Sequence, residues 1–308
     1  MRFRPRKPAG APSAAQRPLE GMGLMVLHTA SNAVMNGSIR LTAETGMHPF
    51  EIAFFRCVFG TLFLSGMVAR AGLGALRTAR PELHVLRAVL NAASMLAFFT
   101  ALTLEPLAKL SALMFTCPLF AALGAVLFLG EKMGPMRVGG LLIGFAGAAM
   151  IMRPGFATVT PGVWLALLSS ATWGAALVLI KHQSKTESSL TIAIYAAILL
   201  LPFNGAAAAI FWVWPSLEML AWCAGIGLLG TIGQIALGEA FRRADATVVL
   251  PFDFTKLIWA AVVGYVLFGE VPDVWTWAGG TVIFAATLFI ATRERAAKGR
   301  PVLAAASD

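Results

Sequence analysis

Residues 107–131 read LAKLSALMFTCPLFAALGAVLFLGE, and residues 246–270 read ATVVLPFDFTKLIWAAVVGYVLFGE. Each is a run of mostly apolar residues, and about 20 such residues suffice to cross a bilayer as a helix. Laid over one another at an offset of 139 positions, Thr116 meets Thr255, Ala121-Ala122 meets Ala260-Ala261, and Gly130-Glu131 meets Gly269-Glu270. Each run also contains a proline, Pro118 or Pro251, which frees a backbone carbonyl and permits a kink. The two prolines do not stand at matching positions.

The same offset holds outward from these runs almost without gaps. Gly23 meets Gly162, Ser31 meets Ser170, Ala97 meets Ala236, and Ala101 meets Ala240. Gly140, Phe145 and Ala146 meet Gly279, Phe284 and Ala285. Alanine and glycine matches are common in apolar sequence, so the weight rests on the paired Gly-Glu and on an offset that survives the loops. Apolar spans are expected at 21–40, 49–69, 83–103, 107–129, 135–152, 161–180, 190–212, 218–240, 246–268 and 273–291. Pro49, Pro81, Pro106, Pro135, Pro161, Pro215 and Pro272 mark their entries, where a missing N–H leaves nothing unpaired. Five spans per half is an odd number, so the second half enters the membrane from the opposite side. The expected fold is an all-α polytopic membrane protein, ten transmembrane helices arranged as a 5+5 inverted repeat. Repeat 1 covers 21–154 and repeat 2 covers 160–292. This is an architecture that gives carriers two conformations of similar energy.

Composition agrees. Of 308 residues, 58% are hydrophobic and 13% charged, and mean hydropathy is +0.77. A soluble domain carries roughly a quarter charged residues. The net charge of +9 does not point to nucleic acid, because the basic residues lie in short segments between apolar runs. With the N-terminus inside, 18 of the 24 Lys and Arg fall on the cytoplasmic side; Arg40 and Arg153 fall outside, and Arg56, Arg87, Lys109 and Lys256 lie within spans. That bias places both termini in the cytoplasm of a multi-pass inner-membrane protein. Residues 1–20 are read as a disordered basic tail rather than a cleaved leader, and 293–308 as a second cytoplasmic tail. Cys57, Cys117 and Cys223 lie in apolar runs without metal-ligand spacing, so packing is their expected role.

Polar groups at depth need a partner or a role. His28, Asn32 and Asn36 recur every four residues on one face of the first span, as the wall of a cavity or as interhelical hydrogen-bonding groups. Arg56 in the second span anchors a substrate carboxylate or carbonyl, or is pinned to backbone carbonyls; Tyr195 occupies the matching position in the other half. Asn91 lies deep in the third span, whereas Arg87 is shallow enough to snorkel. Asp253 and Lys256 stand three apart in the ninth span, as a switch or a fixed ion pair. Gln234, Thr231 and Trp173 complete the candidate lining. Glu239 and Arg243 suit a surface pair, and Glu131 and Glu270 suit interfacial structural roles.

Two stretches, LEPLAKLSALMFTCPLF at 104–120 with LFLGEKM and GGLLIGFAGAAMIMRP following, and ADATVVLPFDFTKLIWA at 244–260 with FGEVPD and WAGG following, resemble the EamA repeat of the drug/metabolite transporter superfamily. HPFEIAFFR at 48–56 resembles its second helix. The resemblance covers nearly the whole chain after the tail and implies ten helices, both termini inside, and alternating access. Within the superfamily it is closest to bacterial riboflavin and S-adenosylmethionine importers. The resulting expectation is a secondary transporter of a small organic metabolite, first a riboflavin-like vitamin, with S-adenosylmethionine import or amino-acid export as alternatives. No spacing for an intramembrane protease, prenyl transferase or serine dyad is present, and the repeat argues against a channel. Expected partners are a small-molecule substrate and the lipid bilayer. No cofactor, metal or nucleic acid is expected, and proton or ion coupling and a homodimer stay open.

Overall fold

A computed structural model describes residues 17–71, 78, 80–130, 134–153, 158–183, 187, 189–244 and 246–298, and among these every regular element is a helix. In chain order they are α1 (Pro18–Glu44), α2 (Pro49–Ala71), α3 (Pro81–Leu104), α4 (Leu107–Met114), α5 (Cys117–Leu129) and α6 (Pro135–Met152). Then follow α7 (Pro161–Gln183), α8 (Ser189–Ile210), α9 (Leu217–Arg243), α10 (Ala246–Val249), a 3-10 turn (Leu250–Phe254), α11 (Thr255–Phe268) and α12 (Val274–Lys298). Helices open on Pro18, Pro49, Pro81, Pro135 and Pro161, and within two residues of Pro106, Pro215 and Pro272.

Among the described residues, six helical stretches are long and apolar enough to cross a membrane: Pro81–Leu104, Leu107–Phe128, Pro161–Gln183, Leu217–Arg243, Leu250–Phe268 and Val274–Thr292. Val138–Met152 and Ile194–Ile210 are shorter apolar helices. α1 is 27 residues long, but His28, Asn32 and Asn36 lower its apolarity. Leu127, Phe128, Leu142, Trp164 and Val266 are exposed on the bundle surface, as lipid-facing side chains are. The molecule is therefore a multi-pass membrane protein.

Two of the expected spans are broken. The first breaks at Phe115–Thr116, between α4 and α5, and the second passes through the 3-10 turn before α11. The Thr116 hydroxyl donates to the Leu113 carbonyl and the Thr255 hydroxyl to the Phe252 carbonyl, each at 2.7 Å. All four residues match at the offset of 139. Pro118 and Pro251 each fall in the first turn of the stretch that follows the local backbone change, which is why non-matching prolines serve matching breaks. α5 and α11 end on Gly130 (φ 64°) and Gly269 (φ 67°), left-handed caps that glycine adopts without strain. Glu131, expected beside Gly130, lies outside the described residues.

Packing follows the same correspondence. α1 runs along α9, and α3 along α7; α1 meets α11, and α7 meets α5; α6 lies along α12. In that last contact, a Cβ on Gly140 would stand 2.7 Å from Ile290, and one on Gly279 would stand 2.5 Å from Ile151 and from the Gly147 carbonyl oxygen. Ile39, Ile52, Leu110, Leu113, Leu119, Ile226, Leu257 and Ile283 fill the interior.

Ion pairs tie both ends of the bundle. At one end Glu270 accepts from Arg40 and, at 3.0 Å, from the Leu107 N–H; Arg153 meets Asp273 at 2.5 Å and Lys109 meets Glu105 at 2.8 Å. At the other, Arg243 meets Glu20 at 2.6 Å and Glu239 at 3.4 Å, and His84 meets Glu187 at 2.5 Å. Two expectations are corrected here. Residues 18–20 are helical rather than part of a disordered tail. Arg87 does not snorkel: it is buried and donates to the Ile192 carbonyl at 2.6 Å, because α8 supplies a backbone acceptor before the side chain reaches the interface.

Candidate substrate site

The two helix breaks meet. Phe115 and Phe254, the residues immediately before Thr116 and Thr255, face each other with ring centroids 5.7 Å apart and planes 16° from parallel. Phe284 of α12 closes the triangle at 5.5 and 4.9 Å. The Lys256 ammonium stands 4.0 Å from the Phe115 ring centroid, within cation–π range. It also donates to Asp253 at 2.8 Å. The lysine is thus held twice, by a carboxylate one turn back and by an aromatic face from the other break.

Hydroxyl pairs fix the breaks from outside. Thr116 pairs with Ser170 of α7, and Thr255 with Thr29 of α1, both at 2.7 Å. Ser94 of α3 reinforces the first by donating to the Ser169 carbonyl at 2.9 Å. A polar seam on α1 continues beside the second. His28 Nδ1 donates to the Gly233 carbonyl at 2.8 Å, and Asn32 Nδ2 donates to the His28 carbonyl at 2.8 Å. Gly233 admits this contact, since a Cβ there would stand 3.0 Å from Asn32 Nδ2. His28 also lies in the field of Asp253 and Lys256. One turn on, the Asn36 Oδ1 is buried without a partner among the described residues, as is the Asn91 Oδ1 on α3.

Arg56 and Gln234 come together elsewhere. They line a cavity of about 130 Å³ between α2, α8 and α9, with Thr61 and Thr231. Arg56 donates toward the Met95 sulfur at 3.1 Å and lies 6.0 Å from the Phe99 ring centroid. It is not pinned to backbone carbonyls, and among the described residues it has no carboxylate contact. Tyr195 is not in this cavity. It stacks on His84 at 4.4 Å, in the buried cluster with Glu187 at the opposite end of the bundle. Trp173 is half-buried on α7, beside Gly174, which presses on the Cys117 carbonyl at the first break.

Broken helices with polar seams at midlength, inside an all-helical bundle, are the frame in which carriers bind cargo. A family model described as EamA-like transporter family matches residues 19–153 and again 160–292. The chain belongs to the EamA-like transporter family. Among its relatives, a riboflavin transporter of Rhizobium johnstonii is 36% identical over 263 residues, covering 85% of this chain and 87% of that protein. An S-adenosylmethionine uptake transporter of Rickettsia bellii is 30% identical over 282 residues, covering 92% and 97%. A crystal structure at 18% identity, covering 94% of this chain and 100% of the other, shares the fold with a TM-score of 0.58.

For an EamA-family chain the aromatic triangle carries no signal in composition. Phe115 and Phe254 do match at the repeat offset, and that match could have found them. Glu51 is fully buried and accepts from the Val213 N–H at 2.8 Å and, locally, from the His48 N–H at 3.1 Å.

Proposed function

We propose that this chain is an alternating-access carrier of a bacterial inner membrane, with both termini cytoplasmic and two inverted five-helix halves, that takes up a riboflavin-like metabolite. The observation that carries the mechanism is the meeting of two breaks at matching repeat positions, each tied by a hydroxyl pair to a helix of the other half. Rocking one half against the other then moves both ties together. The paired helix contacts support the inverted arrangement, and the distribution of Lys and Arg supports the orientation. The family supports transport rather than chemical conversion. The relative named a riboflavin transporter supports the cargo, and so do the aromatic rings beside Lys256 at the meeting of the two breaks. Arg56 suits a carbonyl or weakly acidic group of such a cargo, and Asn36 and Asn91 offer acceptors. The S-adenosylmethionine uptake relatives favour that cargo as the second reading.

The test is riboflavin uptake in a bacterial riboflavin auxotroph lacking its own importer. Expression of this chain is expected to restore growth on limiting riboflavin, with saturable labelled uptake abolished by excess unlabelled vitamin. No uptake, with the protein shown in the membrane, removes the vitamin and brings S-adenosylmethionine forward as cargo.

A further inference from the structure

Phe115 and Phe254 are equivalent residues of the two halves, separated by the repeat offset, and they stack on each other. Equivalent residues that touch must flank the pseudo-two-fold axis relating the halves. Motion that exchanges two such halves leaves the axis in place. Side chains flanking it stay at the site in both conformations, whereas Arg56 and Tyr195 lie away from the pair. The surroundings fit an aromatic reader. Both rings sit on the backbone of helix breaks locked by Thr116 and Thr255, and Lys256 covers one of them while Asp253 neutralises the lysine.

We infer that the Phe115–Phe254 pair is the specificity element of the carrier, gripping the flat conjugated ring of its cargo, with the Lys256 ammonium beside it to meet ring carbonyl oxygens. This rests on the carrier reading above. In the present structure the rings are closed on each other at 5.7 Å. A cargo ring enters by parting them, replacing one aromatic contact with two. A cargo without a flat ring cannot restore the contact it breaks, which is the source of discrimination.

The experiment measures concentration-dependent riboflavin uptake by the full chain and by Phe115→Leu, Phe254→Leu, Phe115→Tyr and Phe254→Tyr, each normalised to membrane-inserted protein. Each Leu variant is expected to raise KM about tenfold, equivalent to about 1.4 kcal/mol of binding, with maximal rate changed far less. Each Tyr variant, which keeps the ring, is expected to stay within about threefold of the parent. Unchanged KM in both Leu variants, or Tyr variants as impaired as Leu variants, overturns the inference while leaving the carrier intact. Absence of uptake by the parent chain itself overturns the riboflavin reading, and labelled S-adenosylmethionine, whose adenine is also flat, then serves as the probe for the same variants. An unchanged KM there overturns the inference for that cargo too.

Discussion

Replacing Glu270 by Gln asks what one carboxylate contributes to holding three helices together. Glu270 accepts from Arg40 at the end of α1 and, at 3.0 Å, from the first N–H of α4, while standing between α11 and α12. The two charged side chains are 21% and 14% exposed, so most of their hydration is gone. Two unit charges 4 Å apart at an effective dielectric of 20 attract by about 4 kcal/mol, which desolvation largely offsets. Breaking a buried pair from one side is another matter, costing roughly 3–5 kcal/mol because the remaining charge is stranded. Arg40 is not wholly stranded: it keeps the Phe268 ring at 4.3 Å and Glu44 at 3.7 Å. Gln also keeps an acceptor for the Leu107 N–H. Glu270→Gln should therefore lower stability by about 2 kcal/mol, and Arg40→Met by a similar amount. With both charges gone nothing is stranded, so the double variant should lose about 2 kcal/mol, not 4. Thermal unfolding in detergent micelles reads this out as a midpoint drop of roughly 5 °C in each single variant and little more in the double. Drops that add to within about 0.5 kcal/mol would refute the reasoning, since independent sites add and a coupled pair does not.

Neutralising Asp253 or Lys256 alone, as Asp253→Asn or Lys256→Met, should abolish uptake with the protein still inserted, because each leaves its partner's charge without a counter-ion; normal uptake in both would exclude the pair from the transport cycle. Gly279→Ala should destabilise by about 1–3 kcal/mol, because the new methyl meets the Gly147 carbonyl at 2.5 Å and backbone cannot yield. Gly140→Ala should be milder, since it meets the flexible Ile290 side chain at 2.7 Å; equal midpoint drops for the two would contradict this. His48, between α1 and α2, is held below the usual histidine range by burial, with Glu51 opposing, and its Nδ1 accepts from the Phe50 N–H at 3.2 Å. Its neutral form is the folded one, so its stabilisation is present above about pH 6.5 and is lost as pH falls through the lower folded value. Acidification from pH 7.5 to 5.5 should thus lower the melting midpoint of the parent chain more than that of His48→Gln, and parallel curves would count against it.

Pro118 and Pro251 marked the two spans that break, and the offset of 139 marked those spans as counterparts, before any coordinates. The offset works because a repeat imposes the same backbone solution twice, so Thr116 and Thr255 must each supply the hydroxyl that a break needs. The same logic misplaced Tyr195. Sequence correspondence says which residue plays the same part in its own half, and in the proposed inverted arrangement that part lies at the other end of the bundle. Arg56 therefore meets Gln234, while Tyr195 meets His84. Arg87 failed for a different reason: its partner is a carbonyl on α8, and backbone groups carry no residue identity to read. Polar side chains that answer to other side chains, such as Asp253 with Lys256 or Glu239 with Arg243, were legible because the partners stand three or four residues apart in the chain. It follows where the sequence speaks about cargo. In the proposed alternating-access carrier, a residue contributes to recognition in both conformations only if it flanks the axis, and residues that meet their own repeat mates flank it. Among the described residues the matched phenylalanines before the two breaks satisfy that condition as a stacked pair. The deep amides and the arginine, which looked more chemical, do not.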